Sequence, residues 1–293
     1  MDQDDVRKVA TVMAAQEILP GQPSDLSGIL ADQKQVEALL RPPLDPVQAS
    51  ELVHYLRENI EPGRIDWWYK EIDQLVESRT AIPVLAGSPD YPARLARCWD
   101  APPVLFITSP IPTGSAVAIV GSRETTPEVL TQTRELAAEL AAAGEVVVSG
   151  LAAGVDSAAH RGALDAGEHT VAVMGTGITQ IYPPQNTDLA EQIRHHGVLV
   201  SQFAPHAPRT KTTFLRRNHV IAGLSNASVI MDGQQRSGSR HEVEQAISYG
   251  RPVFMWAPAL TGQRWARQLE AAGSATFVSN GEEVLAALRG QRY

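Results

Sequence analysis

The chain has 293 residues, 43% of them hydrophobic and 20% charged, with 22 glycines, 20 prolines and 5% aromatics. Those proportions exclude a collagen-like, low-complexity or wholly disordered chain and leave room for one large domain or two unequal ones. With 25 Lys and Arg against 33 Asp and Glu, the net charge is -8, so any affinity for polyanions has to come from a local patch rather than from a long-range field.

Cys98 is the only cysteine; this rules out an internal disulfide and a thiolate zinc site and fits a reducing compartment. The segment Met1 to Asp5 is acidic where a secretory signal would be basic. No apolar run approaches the ~18–20 residues of a membrane span. A soluble cytoplasmic protein without membrane association is expected, and nothing in the sequence calls for a metal or a cofactor.

Residues 1–78 carry apolar positions at helical spacing, at Val6/Val9/Met13, Val36/Leu39/Leu40 and Leu52/Tyr55/Leu56. Proline and glycine interrupt them at Pro20, Pro42 and Pro62, which predicts a small helical domain. Within it, Trp67 and Trp68 followed by Ile72 and Leu75 read as an amphipathic helix packing on a neighbour. Residues 79–112 are rich in proline, from Pro83 through Pro92 to Pro102 and Pro103, and read as an irregular connecting strap.

From 113 to 293 the pattern changes. Short apolar runs at Ala116–Val120, Val146–Ser149, Thr170–Met174, Val198–Ser201, Ala227–Met231 and Pro252–Met255, with a weak one at Ala275–Val278, alternate with helical segments near 126–143, 156–166, 187–196, 214–224, 239–249, 264–272 and 281–289. Continuously apolar strands alternating with helices predict an α/β domain, a doubly wound and mainly parallel Rossmann-like sheet covered on both faces.

Ligands in such folds bind beyond the carboxyl ends of the strands. The turns there read Gly121-Ser122-Arg123, Ser149-Gly150 through Gly154, Gly175-Thr-Gly177, and Ser237-Gly238-Ser239. Glycine turns admit close approach of backbone N–H groups to an anion, and helix N-termini favour it. A dinucleotide fingerprint and a P-loop are both absent, which disfavours NAD and P-loop ATP chemistry. Arg123 can grip a phosphate with its planar fork. The stretch Arg209 to His219 places Lys211, Arg216 and Arg217 around Phe214 with no acid between them, the combination of cations and a stacking ring that single-stranded nucleic acid binders use. Asp156 and His160, four residues apart, read as a helix cap and a packing residue rather than a dyad. Ser239-Arg-His-Glu242 reads as a capping box, and equally as a carboxylate beside a phosphate loop; Glu242 is the one candidate catalytic residue.

Taken in order, Gly121-Ser-Arg123, Ser149 through His160, Val171 through Gly177, Ile181-Tyr-Pro-Pro-Gln-Asn186, Phe214-Leu-Arg-Arg-Asn218, Ser237-Gly-Ser239 and Gly250 through Phe254 resemble the DNA-processing protein A (DprA/Smf) family over roughly residues 79–256. The resemblance implies a Rossmann-like domain that binds single-stranded DNA without catalytic turnover. It also implies a homodimer and assistance in loading RecA recombinase in transformation, recombination or DNA processing. It places Arg123, Lys211, Phe214, Arg217 and Asn218 where the family contacts phosphates and stacks a base. Many members add a C-terminal winged helix, which is not expected within these 293 residues. The turn Gly238-Ser-Arg-His-Glu242 together with Arg217 is also similar to nucleotide phosphoribohydrolases of the Lonely Guy type. An N-glycosidic hydrolase acting on nucleoside monophosphates is therefore the alternative reading, and a nucleotide or DNA sensor in a stress or antiphage system is a third.

Overall fold

A computed structural model describes residues 1–19, 23–40, 49–234 and 238–290. The chain divides into two compact units, Met1–Thr108 and Ser109–Tyr293. The first contains α1 (Gln3–Ile18), α2 (Pro23–Ala31), α3 (Gln33–Leu40), α4 (Glu51–Asn59), α5 (Pro62–Glu77), β1 (Ile82–Leu85), α6 (Ala93–Ala96) and β2 (Val104–Ile107). Ser50 caps α4 by accepting from the Val53 N–H, and Pro62 opens α5 at a position where a missing N–H costs nothing. Of the tandem tryptophans only Trp68 is buried; Trp67 is exposed, with the Arg64 guanidinium 4.0 Å above its ring and Arg64 held by Glu17 at 2.6 Å.

The proline-rich segment 79–112 differs from the irregular strap expected. β1 and β2 pair antiparallel there, Ile82 opposite Ile107 and Leu85 opposite Val104. The buried Tyr91 hydroxyl donates to the Pro102 carbonyl at 2.6 Å and closes the connection. Pro83 sits inside β1, where a strand paired on one side can do without the missing donor. The contact boundary accordingly falls at Thr108, with these strands in the first unit.

The second unit is the doubly wound sheet. Its elements are β3 (Ala116–Val120), α7 (Pro127–Ala142), β4 (Val146–Ser149), α8 (Val155–Asp165), β5 (Thr170–Val173), a 3-10 turn at Pro184–Asn186, α9 (Thr187–His196), β6 (Val198–Ser201), α10 (Lys211–Leu224), β7 (Ala227–Ile230), α11 (Gly238–Ser248), β8 (Val253–Trp256), α12 (Ala257–Leu260), α13 (Arg264–Ala271), β9 (Thr276–Val278) and α14 (Gly281–Gly290). The strands lie in the order β6-β5-β4-β3-β7-β8-β9, each adjacent pair parallel. β3, β5, β6, β7 and β8 are buried throughout, as strands covered by helices on both faces must be. Each fully buried aliphatic side chain in the layer packed on α7 and α8, Val117, Ile119, Leu140 and Val155 among them, contributes about 1.5–3 kcal/mol over exposure. No helix among the described residues is long and apolar enough to cross a membrane.

The chain winds from β3 outward through β4, β5 and β6, then returns to β7 on the other side of β3. The order therefore reverses between β3 and β7, and the crevice beyond their carboxyl ends is where this architecture holds ligands. The two loops bounding it are tied together: the Thr125 hydroxyl, after β3, donates to Asp232 Oδ2, after β7, at 2.5 Å.

Candidate functional site

At that reversal lies a cavity of about 720 Å³, lined by the loop after β3, the start of α8, Tyr182, the first three turns of α10, and Gln234, Gly238 and Glu242 after β7. α10 begins beside it because Thr210 and Thr213 form a reciprocal cap, each backbone N–H donating to the other's hydroxyl at 3.0 Å. That cap presents Arg209 and Lys211 before the first turn is complete and turns Phe214 inward.

The rim is cationic and aromatic. Arg123, Arg209 and Lys211 are exposed, and Tyr182 and Phe214 are half-buried. The rings meet edge to face at 5.7 Å. Arg123 lies 4.9 Å from the Phe214 centroid and Arg209 lies 4.7 Å from that of Tyr182, whose hydroxyl also accepts from Arg209 Nη1 at 3.2 Å. Two cations thus flank a pair of rings, with Lys211 beside them.

Beneath the rim the side chains are buried and bonded to one another. Arg217 is 5% exposed. Its Nη1 donates to the carbonyls of Val173, at 2.8 Å, and Gly150; its Nε donates to Asn218 Oδ1 at 3.0 Å; and its Nη2 lies 3.8 Å from Asp156. Asn218 in turn donates to the Gly238 carbonyl at 3.1 Å. Burial pushes the Asp156 carboxyl up, against the pull of Arg217. Glu242 is wholly buried, Ser228 donates to its Oε1 at 3.3 Å, and Oε2 has no partner. Burial pushes its pKa up to about 8, with Arg217 and Ser228 opposing and Asp156 adding to the rise.

Of the residues expected at the site, Gly121, Ser122, Arg123, Lys211, Phe214, Arg217, Asn218 and Gly238 line this one cavity, with Glu242. Arg217 and Asn218, expected to touch phosphate, are instead buried and occupied with internal partners, because a guanidinium at that depth must satisfy its donors on neighbouring carbonyls. Ser149, Gly150, Gly154, Gly175 and Gly177 do not line it. The Ser149 hydroxyl is buried and donates to the Ile119 carbonyl at 2.6 Å. Gly150 leaves the space the Arg217 guanidinium fills, and Gly175 seats the Phe214 ring, whose Cδ1 would lie 2.7 Å from an added Cβ. Gly177 packs on the backbone of Ala204 and Pro205, and Gly154 has a φ of 77° and abuts the carbonyls of Ser122 and Arg123. These glycines shape the cavity wall from behind. Ser237 lies outside the described residues.

Two local readings change. Gly154 occupies the N-cap of α8, while Asp156 accepts from the Ala152 N–H at 3.3 Å. The Glu242 carboxyl points to Ser228 rather than back to Ser239, so it forms no capping box. His160 is the packing residue expected, buried with its Nδ1 2.8 Å from the Thr170 hydroxyl and its pKa lowered by burial to about 3. Among the described residues no cluster of His, Cys, Asp or Glu has the makings of a metal site.

Sequence reasoning did not single out Tyr182 or Ala152, and it named Arg209 only as part of the basic stretch; all three line the cavity. Leu151 has a φ of 58°, and Asn186 Nδ2 donates to the Leu151 and Ala152 carbonyls at 3.0 and 3.1 Å. The motif containing Tyr182 and Asn186 was visible in the sequence, but its distance in the chain from Phe214 concealed the contact.

A seven-stranded parallel sheet that reverses beside its central strand, with a crevice at the reversal, places the molecule in the Rossmann-like α/β class. Residues 83–289 match the family model for DNA recombination-mediator protein A, and the chain belongs to that family. It is 36% identical over 203 residues to protein Smf of Synechocystis sp., covering 67% of this chain and 50% of that protein, and 35% identical over 176 residues to DNA processing protein DprA of Bacillus subtilis, covering 59% of each. It thus spans about half to three-fifths of the length of these relatives. Among solved structures, DNA processing protein A of Streptococcus pneumoniae superposes with a TM-score of 0.67 at 29% identity, over 90% of this chain and 95% of that one. The Helicobacter pylori protein, described for its single-stranded DNA binding mode, gives 0.61 at 28%, over 70% of this chain and 96% of that one.

Proposed function

We propose that the cavity rim binds single-stranded DNA, with Arg123, Arg209 and Lys211 on successive phosphates and Phe214 and Tyr182 against the bases, and that the protein acts in DNA processing in the cytoplasm without turning over its ligand. The observation that carries this reading is the cation-flanked ring pair at the crevice on a molecule of net charge -8. The ligand described for the Helicobacter pylori relative supports it. Three phosphate contacts to a single strand correspond to a salt slope of about -2, so affinity is modest unless two copies join their rims. A homodimer that assists a RecA-type recombinase is the form of action proposed.

Fluorescence anisotropy with labelled oligo-dT tests the reading. Arg123→Ala and Lys211→Glu each weaken binding and flatten the salt dependence; unchanged affinity in both rejects the rim as the binding surface. Sedimentation at micromolar protein tests the dimer.

The hydrolase reading draws on Glu242, a buried carboxyl at the same cavity. It also requires Arg217 on the nucleotide phosphate, and the Arg217 guanidinium is committed to the Gly150 and Val173 carbonyls. Release of free base from nucleoside monophosphates by the wild type, lost in Glu242→Ala, would restore it.

A further inference from the structure

The choice of cations in this chain is lopsided. Four lysines stand against 21 arginines, and three of the four, Lys8, Lys34 and Lys70, lie in the first unit. Lys211 is the only lysine from Ser109 to Tyr293, and it is exposed at the cavity with Arg123 and Arg209 on the same rim. Both residue types bind phosphate, but an arginine stays charged, whereas a lysine amine can shed its proton, attack a carbonyl and be acylated. We propose that Lys211 is an acylation site, filled by small acyl phosphates whose phosphate docks on Arg123 and Arg209, and that acylation lowers the affinity of the rim for DNA. The effect on DNA rests on the proposed function of the rim; the acylation itself rests on the rim's chemistry alone.

The surroundings set Lys211 apart from the other three amines. Lys8 Nζ lies 2.8 Å from Asp5 Oδ1, which holds it protonated. Lys34 on α3 has Glu37 one turn on, and Lys70 on α5 has Asp66 and Asp73 one turn to either side. Carboxylates in those places repel an anionic donor. No acid falls between Arg209 and His219, and the first turn of α10 carries none. Arg209 Nη1 donates to the Tyr182 hydroxyl and Arg123 lies over the Phe214 ring, so both guanidinium groups are held at the rim before a ligand arrives. Their planar forks match the oxygens of a phosphate. A volume of about 720 Å³ is within the ordinary range for a small-ligand site.

The step needs only the donor and the amine. The lone pair of the neutral Lys211 Nζ attacks the carbonyl carbon of acetyl phosphate, the bond from that carbon to the bridging oxygen breaks, and phosphate leaves with the electron pair. The surplus proton on nitrogen passes to phosphate or water, and the products are an acetylated lysine and inorganic phosphate. Docking the phosphate on Arg123 and Arg209 makes the attack effectively intramolecular, and the same two groups stabilise the departing anion. An acetylated lysine carries no charge. A bound strand then loses one of its three phosphate contacts, and the salt slope shrinks by about 0.7.

The test is incubation of the wild-type protein with acetyl phosphate, with acetylation of the four lysines followed by peptide mass spectrometry. Lys211 is expected to react several-fold faster than Lys8, Lys34 and Lys70. Acetic anhydride, which carries no phosphate, should show no such preference. Arg123→Ala, Arg209→Ala and an excess of inorganic phosphate should each slow the reaction at Lys211 relative to the other three lysines, with circular dichroism to show that both variants fold. Equal rates at the four lysines overturn the site. The same preference for Lys211 with acetic anhydride also overturns it, because exposure would then be the whole cause. Acetylated protein is expected to bind labelled oligo-dT several-fold more weakly than untreated protein, whereas treatment leaves Lys211→Arg at the affinity it had before. Selective acetylation with no change in oligo-dT binding overturns the effect on DNA and counts against the rim as the DNA surface. Oligo-dT binding that depends on Lys211, together with equal acetylation rates, keeps the rim reading and removes this one.

Discussion

Replacing Glu242 by Gln removes a titrating group from the interior while keeping its volume, and the effect on stability follows from where that group titrates. Its ordinary pKa is 4.5, and in the folded protein it is about 8. Below about pH 4.5 both folded and unfolded chains carry the proton, and the group is neutral in each. As pH rises toward 8 the unfolded chain ionises while the folded chain holds its proton, so stability falls with each pH unit by about 1.4 kcal/mol. Between about pH 5 and about pH 8 the wild type therefore loses about 4 kcal/mol through this residue, an upper figure since water entry on ionisation relaxes the site. Glu242→Gln lacks the slope. Urea unfolding of both proteins at several pH values measures it, because every other titrating group cancels in the difference between them. The variant is expected to gain steadily on the wild type as pH rises. A difference that stays constant within about 1 kcal/mol over that range refutes the claim that burial holds Glu242 neutral.

His160 has the opposite sign. Its folded pKa of about 3 lies below the ordinary 6.5, so the stability it contributes is complete above about pH 6.5 and drains as pH falls toward 3; the acid limb of the unfolding profile should be shallower in His160→Gln than in wild type. Arg217→Ala removes the donors to two carbonyls and leaves Asp156 buried without its counter-charge, for an expected loss of about 3–5 kcal/mol in denaturant unfolding. Arg217→Lys should not restore it, since a point charge cannot reproduce the fork. Wild-type stability with DNA affinity alone reduced would instead mark Arg217 as a ligand contact.

Much of the α/β unit was legible because its signals are local. Strands buried on both faces read as continuous apolar runs, and those at Ala116–Val120 and Val198–Ser201 coincide with β3 and β6 to the residue. The helical segment expected near 126–143 is α7, which starts at Pro127 behind Thr126, whose hydroxyl accepts from the Val129 N–H. β1 and β2 were missed for the converse reason: four-residue strands with a proline inside or just before them have too little pattern to outweigh the turn-forming composition around them.

Residue chemistry alone determined that a chain of net negative charge carries cations and rings on the turns at one end of a parallel sheet. Only the tertiary structure decided which of those groups meet a ligand. Depth separates Arg123, at the rim, from Arg217, whose donors are taken by carbonyls of β5 and of the turn after β4. Depth also converts Glu242 from a candidate helix cap into a neutral acid. Whether a charged side chain is free or committed depends on the water around it and on partners brought from distant parts of the chain, and neither is a property of the residue or of its neighbours in sequence.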